Sequence, residues 1–171
     1  MAAKKSEAKK RKGRIVRSKQ SAEQLRLFAY LLFNFVHRLD RERRKFYADD
    51  IELATISEVI ALSGAEPSMR TPEFRKKFSD VKNIMGVEGQ RGMNALSISH
   101  ATGIPRETTR RKLRKLIEFG ATLEVQRGKY VMKPGFMQHP ERAAALDQVL
   151  SDTARFIDDC LQNGIIDYSE K

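Results

Sequence analysis

The chain has 171 residues, 40 % hydrophobic and 32 % charged, and its 33 Lys and Arg against 22 Asp and Glu leave a net charge of +11. A single cysteine, Cys160, excludes an internal disulfide framework, and with only three scattered histidines (His37, His100, His139) no zinc-ligand spacing is present, so no metal or cofactor is expected. The longest apolar run, 27–36, is broken by Asn34 and falls well short of the roughly 20 residues a bilayer requires, so no membrane partner is expected.

The charge is unevenly distributed. Residues 1–20 carry +8, residues 21–87 carry +1, residues 88–135 carry +6 and residues 136–171 carry −4. The first stretch contains Lys4, Lys5, Lys9, Lys10, Arg11, Lys12, Arg14, Arg17 and Lys19 with almost nothing apolar to bury, and it reads as a disordered basic tail. It lacks the apolar stretch of a signal peptide, so the protein is expected to stay in the cytoplasm. Such a tail either serves only solubility or adds salt-sensitive affinity for nucleic acid.

An N-terminal helical region is expected over 21–87. Ser21 and Gln24 have the spacing of a capping box, and the helix behind them carries Leu25, Leu27, Phe28, Leu31, Leu32, Phe35, Val36 and Leu39. These cover more than one face, so one surface should meet the core and the other a second helix or subunit. Asp49 or Asp50 can cap a second helix, which Ser63-Gly64 should end. Thr71-Pro72-Glu73 is a third helix start, followed by Phe74, Phe78, Val81 and Met85 in one stripe ending at Gly86.

Residues 94–133 are the informative part. A short helix over 95–102 ends at Gly103; Ile104-Pro105 continues the turn; a second helix over 106–119 points Thr109, Leu113, Leu116 and Ile117 inward and stops at Gly120. Leu123 and Val125, then Tyr130 and Met132, alternate with polar residues around an Arg127-Gly128 turn, which makes a short hairpin. Residues 136–171 open with Pro140-Glu141 and form a C-terminal helix for packing or dimerisation. Its apolar stripe is Leu146, Val149, Leu150, Thr153, Ile157, Cys160 and Leu161, and Gly164 closes it. Cys160 on that stripe reads as a packing residue.

The run from Leu96 to Leu116, with Gly103, Ile104, Leu113 and Leu116 at the fixed positions, resembles the winged helix-turn-helix of bacterial transcriptional regulators in the broad MarR-, GntR- and IclR-like sense. The resemblance covers about forty residues. Pro105 stands where such proteins often have a capping Ser or Thr, and Thr109 where Val or Ile is usual. It implies a mainly α fold with a small β-hairpin wing, a winged helix-turn-helix domain over 88–135, and flanking N- and C-terminal helices.

In that arrangement the 106–119 helix enters the major groove of double-stranded DNA. Arg106, Glu107, Thr108 and Arg111 suit base edges, while Arg110, Arg114 and Lys115 suit phosphates, with Arg127 and Lys129 at the wing tip on the backbone or minor groove. The plain alternative for this face is solvated charge, with Glu107 and Arg111 paired along the helix. The expected function is a sequence-specific, homodimeric, nucleoid-associated transcriptional regulator. The alternatives are a sequence-blind architectural or replication-related DNA binder, or a winged-helix adaptor for protein partners. No Gly-rich phosphate loop or nucleophile–His arrangement points to an enzyme. A pocket for a small-molecule effector between the helical layer and the wing is compatible with a regulator of this kind, but no convergent polar cluster in the sequence supports one.

Overall fold

The computed structural model describes residues 13–170. In chain order these form β1 (Gly13–Arg17), a 3-10 turn (Lys19–Ala22), α1 (Leu25–Phe46), α2 (Ile51–Met69), α3 (Pro72–Phe78), α4 (Ala95–Thr102), α5 (Arg106–Glu118), β2 (Thr122–Gln126), β3 (Lys129–Met132), α6 (Pro140–Gln162) and β4 (Ile166–Glu170). The described residues are mainly helical, with two two-stranded antiparallel sheets, β1–β4 and β2–β3. They fall into two compact units, the larger Arg38–Leu150 and the smaller the described parts of Met1–His37 and Ser151–Lys171. No helix among them is long and apolar enough to cross a membrane.

In the smaller unit, the expected disorder of the basic tail does not extend to its last eight residues. Arg14-Ile15-Val16-Arg17 is a strand, registered Arg14 to Ser169, Ile15 to Tyr168 and Val16 to Asp167. Two β-branched residues and a partner strand of opposite charge make this segment sheet-forming rather than solvated. The β4 strand beyond Gly164 was not anticipated. Lys4, Lys5, Lys9, Lys10, Arg11 and Lys12 lie outside the described residues. The capping box is not formed either: the Ser21 hydroxyl accepts from Arg17 Nε at 2.5 Å inside the 3-10 turn, and α1 begins only at Leu25. Phe35 stacks on Phe156 at 4.9 Å between centroids, and Cys160 is buried, its thiol pushed up by that burial.

The core of the larger unit is built on α2. Asp50 caps it, with Oδ1 accepting from the Leu53 N–H at 3.2 Å, and Ala54, Ile56 and Ile60 are fully buried. These pack with Ile98 of α4, Leu113 and Leu116 of α5 and Met132 of β3. Burying a side chain such as Leu113 or Leu116 contributes about 1.5–3 kcal/mol. The expected domain boundaries at 87/88 and 135/136 both lie within this unit, because α2 packs against α4, α5 and β3 alike.

Two helix ends differ from expectation. α2 does not stop at Ser63-Gly64 but continues to Met69 through Pro67. Gly64 is there for room: a Cβ on it would lie 3.3 Å from Gln90 Oε1, and its carbonyl accepts the Arg91 N–H at 3.1 Å. α3 ends at Phe78 rather than near Gly86. Ser79 donates to the Lys76 carbonyl, Asn83 to the Lys77 carbonyl, and Asp80 accepts from the Lys82 N–H. These local bonds compete with the helical ladder and win. On α6, Leu150 is 67 % exposed, so the apolar stripe is not wholly inward.

Candidate nucleic-acid interface

The turn between α4 and α5 is held by hydroxyls. Asn94 caps α4 by accepting from the Ser97 N–H at 2.8 Å, and Gly103 ends it at φ 72°, the left-handed region a glycine enters without steric cost. The Ile104 carbonyl then accepts both Ser99 Oγ at 2.6 Å and Thr109 Oγ1 at 3.2 Å. Thr109 is fully buried, so a hydroxyl stands in the core to bind a carbonyl that the turn leaves without a helical partner. That accounts for Thr where an aliphatic side chain was the pattern. Pro105 occupies the N-cap of α5 with no side-chain bond.

α5 has two chemically distinct faces. Thr109, Lys112, Leu113 and Leu116 are buried. Ile117, expected inward, is 37 % exposed. On the other face Arg106, Glu107, Arg110, Arg111, Arg114 and Lys115 are exposed and Thr108 is half-buried. The expected pairing of Glu107 with Arg111 is replaced by one turn's closer neighbour: Arg110 Nη1 meets Glu107 Oε1 at 2.7 Å. The face therefore presents five exposed cations, one acid already engaged by a cation, and a second exposed acid, Glu118, at its C-terminal end.

Lys112 is the cation of α5 that turns inward. Its ammonium binds Asp50, and Glu52 Oε2 lies 3.0 Å away. Burial would lower its pKa, but the hydrogen bonds it donates to Asp50 and Glu52 outweigh burial and raise it. Sequence periodicity alone did not single out Lys112, because the partners lie about sixty residues upstream.

The hairpin projects from the end of α5. Glu124 Oε1 accepts the Gly128 N–H at 2.5 Å and so fixes the turn, where Gly128 sits at φ 73°, and Arg127 and Lys129 at the tip are exposed. The register shifts between Glu124 and Gln126, an irregularity the strict alternation did not foretell. Met93 pairs with Tyr130 through two backbone hydrogen bonds, 2.9 and 2.8 Å, adding a short third edge to the hairpin. Tyr130, half-buried against the core, is close enough to the cationic face of α5 to feel its charge. Its phenol pKa is raised by burial and by Glu124 and lowered by the nearby Arg110 and Arg114, with the balance upward. Alternation marked Tyr130 only as an inward strand position.

Gln90 completes the support. Its Nε2 donates to the Met132 carbonyl and its Oε1 accepts the Met132 N–H, both at 3.0 Å, so a side-chain amide substitutes for a neighbouring strand. Among the described residues no group of three or more His, Cys, Asp or Glu is placed to hold a metal ion. Compared with protein-family models, curated proteins and solved structures, the chain has no significant match.

Proposed function

We propose that this chain is a sequence-specific DNA-binding regulator of transcription whose α4–turn–α5 unit and hairpin act as a winged helix-turn-helix. The observation that supports this reading is the α5 face: Arg106, Arg110, Arg111, Arg114 and Lys115 all stand exposed on a helix whose opposite side is locked into the core. Solubility does not require five mutually repelling cations on one short helix, whereas a duplex backbone neutralises them. Arg106, Glu107, Thr108 and Arg111 would read base edges in the major groove, with Arg110, Arg114 and Lys115 on phosphates. Arg127 and Lys129 at the hairpin tip would reach the neighbouring backbone or minor groove, and the basic N-terminus would add further phosphate contacts. The working form is a homodimer in the cytoplasm, on the nucleoid. Tyr30 and Phe33 of α1, 65 % and 68 % exposed, favour that state, since apolar surface of this kind gains from burial against a second copy.

Selection of bound fragments from a random duplex pool at ~0.15 M salt tests the reading. A preferred sequence is expected, and reversing two charges (Arg111→Glu with Arg114→Glu) is expected to weaken its binding about 100-fold or more. A pool that returns no preference, with affinity collapsing as salt rises, assigns instead the sequence-blind architectural role. Retention unchanged by the charge reversal rejects DNA contact by α5.

A further inference from the structure

Behind the hairpin root lies a partly open cavity of about 370 Å³, bounded by the C-terminal half of α2, the segment after α3, the end of β3 and the first turns of α6. Four of the six methionines, Met69, Met85, Met132 and Met137, form its walls with Phe78 and Leu146. Its polar side chains are already engaged. Both amide atoms of Gln90 are bound to Met132, Gln138 donates to the Val81 carbonyl, and Asn83 donates to the Lys77 carbonyl. Ser79 and Asp80 are bonded to their own turn. Lys133 Nζ lies over Gly120, 3.7 Å from where a Cβ would stand, beside the negative end of α5.

A ligand entering this space therefore meets mainly apolar surface; of the two charged residues on its border, Asp80 accepts a hydrogen bond from its own turn and Lys133 reaches toward Gly120. A cavity of about 150 Å³ lined by apolar side chains takes up benzene, which makes this one large enough for about two to three fused rings. Thioethers are flexible and polarisable and favour the edges of aromatic rings, so a methionine-walled space fits a planar aromatic molecule better than a branched aliphatic one. We propose that this cavity binds a neutral, planar aromatic compound of that size. Met132 is also the last residue of β3 and is held by Gln90, so a bound ring bears directly on the root of the hairpin. That coupling to DNA rests on the reading above, whereas the site itself does not.

The test is a titration of the full-length protein, labelled at its methionine methyl groups, with naphthalene. The methyl resonances of Met69, Met85, Met132 and Met137 are expected to move together and saturate. Met93, which packs on the core and not on the cavity, is expected to stay in place. Ala65→Phe, which puts a ring into the cavity from α2, is expected to weaken binding at least tenfold (about 1.4 kcal/mol). Methyl shifts that do not saturate, or that are as large at Met93, overturn the site. Saturating methyl shifts with DNA affinity unchanged by naphthalene overturn the coupling alone.

Discussion

Lys112 of α5 donates to one oxygen of Asp50, while the other oxygen of the same carboxylate accepts the Leu53 N–H and caps α2. One side chain thus ends a helix and anchors the underside of the cationic one. The Lys112 side chain is 10 % exposed and that of Asp50 23 %, so the pair is partly shielded from water. Lys112→Met is expected to cost about 1–3 kcal/mol in urea unfolding, because it leaves the carboxylate without its cation. A loss below ~0.3 kcal/mol, as for an exposed pair, would show the contact to be incidental.

The same pair sets a pH dependence. Burial would raise the Asp50 pKa, but its bonds to Lys112 and the Leu53 N–H outweigh burial and hold it below the ordinary carboxylate range. The stability it contributes is therefore complete above the unfolded pKa of about 3.9 and is lost as pH falls through the lower folded value. For Lys112 the sign reverses: its raised pKa gives stability that is complete below about 10.4 and lost as pH climbs through the folded value. Asp50→Asn is expected to flatten the acid limb of a stability–pH curve below about pH 4. An acid limb identical to that of the unmodified protein would contradict the assignment.

The two hydroxyls on the Ile104 carbonyl should behave as a coupled set. Thr109→Val and Ser99→Ala are each expected to cost about 0.5–1.5 kcal/mol. The double variant should exceed their sum by about 1 kcal/mol, since only then is the carbonyl left without a donor. Thermal unfolding of the four proteins in the cycle measures this directly, and strict additivity would dissociate the hydroxyls from a common acceptor.

Between α1 and α2 the backbone takes two consecutive positive φ values, 50° at Ala48 and 62° at Asp49. Aspartate tolerates this region through local hydrogen bonding; alanine pays the steric cost without compensation. Ala48→Gly is expected to raise stability by about 0.5–1 kcal/mol, the relief of strain exceeding the added chain entropy. Asp49→Gly should gain less. A destabilised Ala48→Gly protein would place the larger cost in the unfolded chain.

Glu107 holds Arg110 in an exposed pair on the proposed DNA-facing surface. Glu107→Gln frees that guanidinium and removes the acid. Binding to random duplex is expected to strengthen, and the slope of log affinity against log salt to steepen by about one phosphate contact. An unaltered slope would mean that Arg110 does not reach the backbone.

Much of the chain was readable one-dimensionally. Asp50, Pro72 and Gly103 announced helix ends through chemistry that acts within a single turn, although the Thr71 hydroxyl donates to the Ser68 carbonyl instead of capping α3, and the spacing of Thr109, Leu113 and Leu116 gave the inner face of α5. The exposed cations from Arg106 to Lys115, and Arg127 and Lys129 at the hairpin tip, followed from the same periodicity. What failed did so where a distant group intervened. Gly64 looked like a stop because a glycine is usually a stop; Gln90, folded against it, made it a clearance instead. Arg14 to Arg17 looked like part of a solvated tail because β4 lies at the other end of the chain.

Local sequence thus determined which segments are helical, where α4, α5 and α6 end and which side of α5 carries charge, because capping and amphipathic periodicity are settled within a few residues. The inward turn of Lys112, the placement of Tyr130 beside Arg110 and Arg114, the pairing of β1 with β4 and the methionine-walled cavity were decided only in three dimensions. Each depends on groups far apart along the chain, and burial and electrostatics act on distance in space rather than separation in sequence.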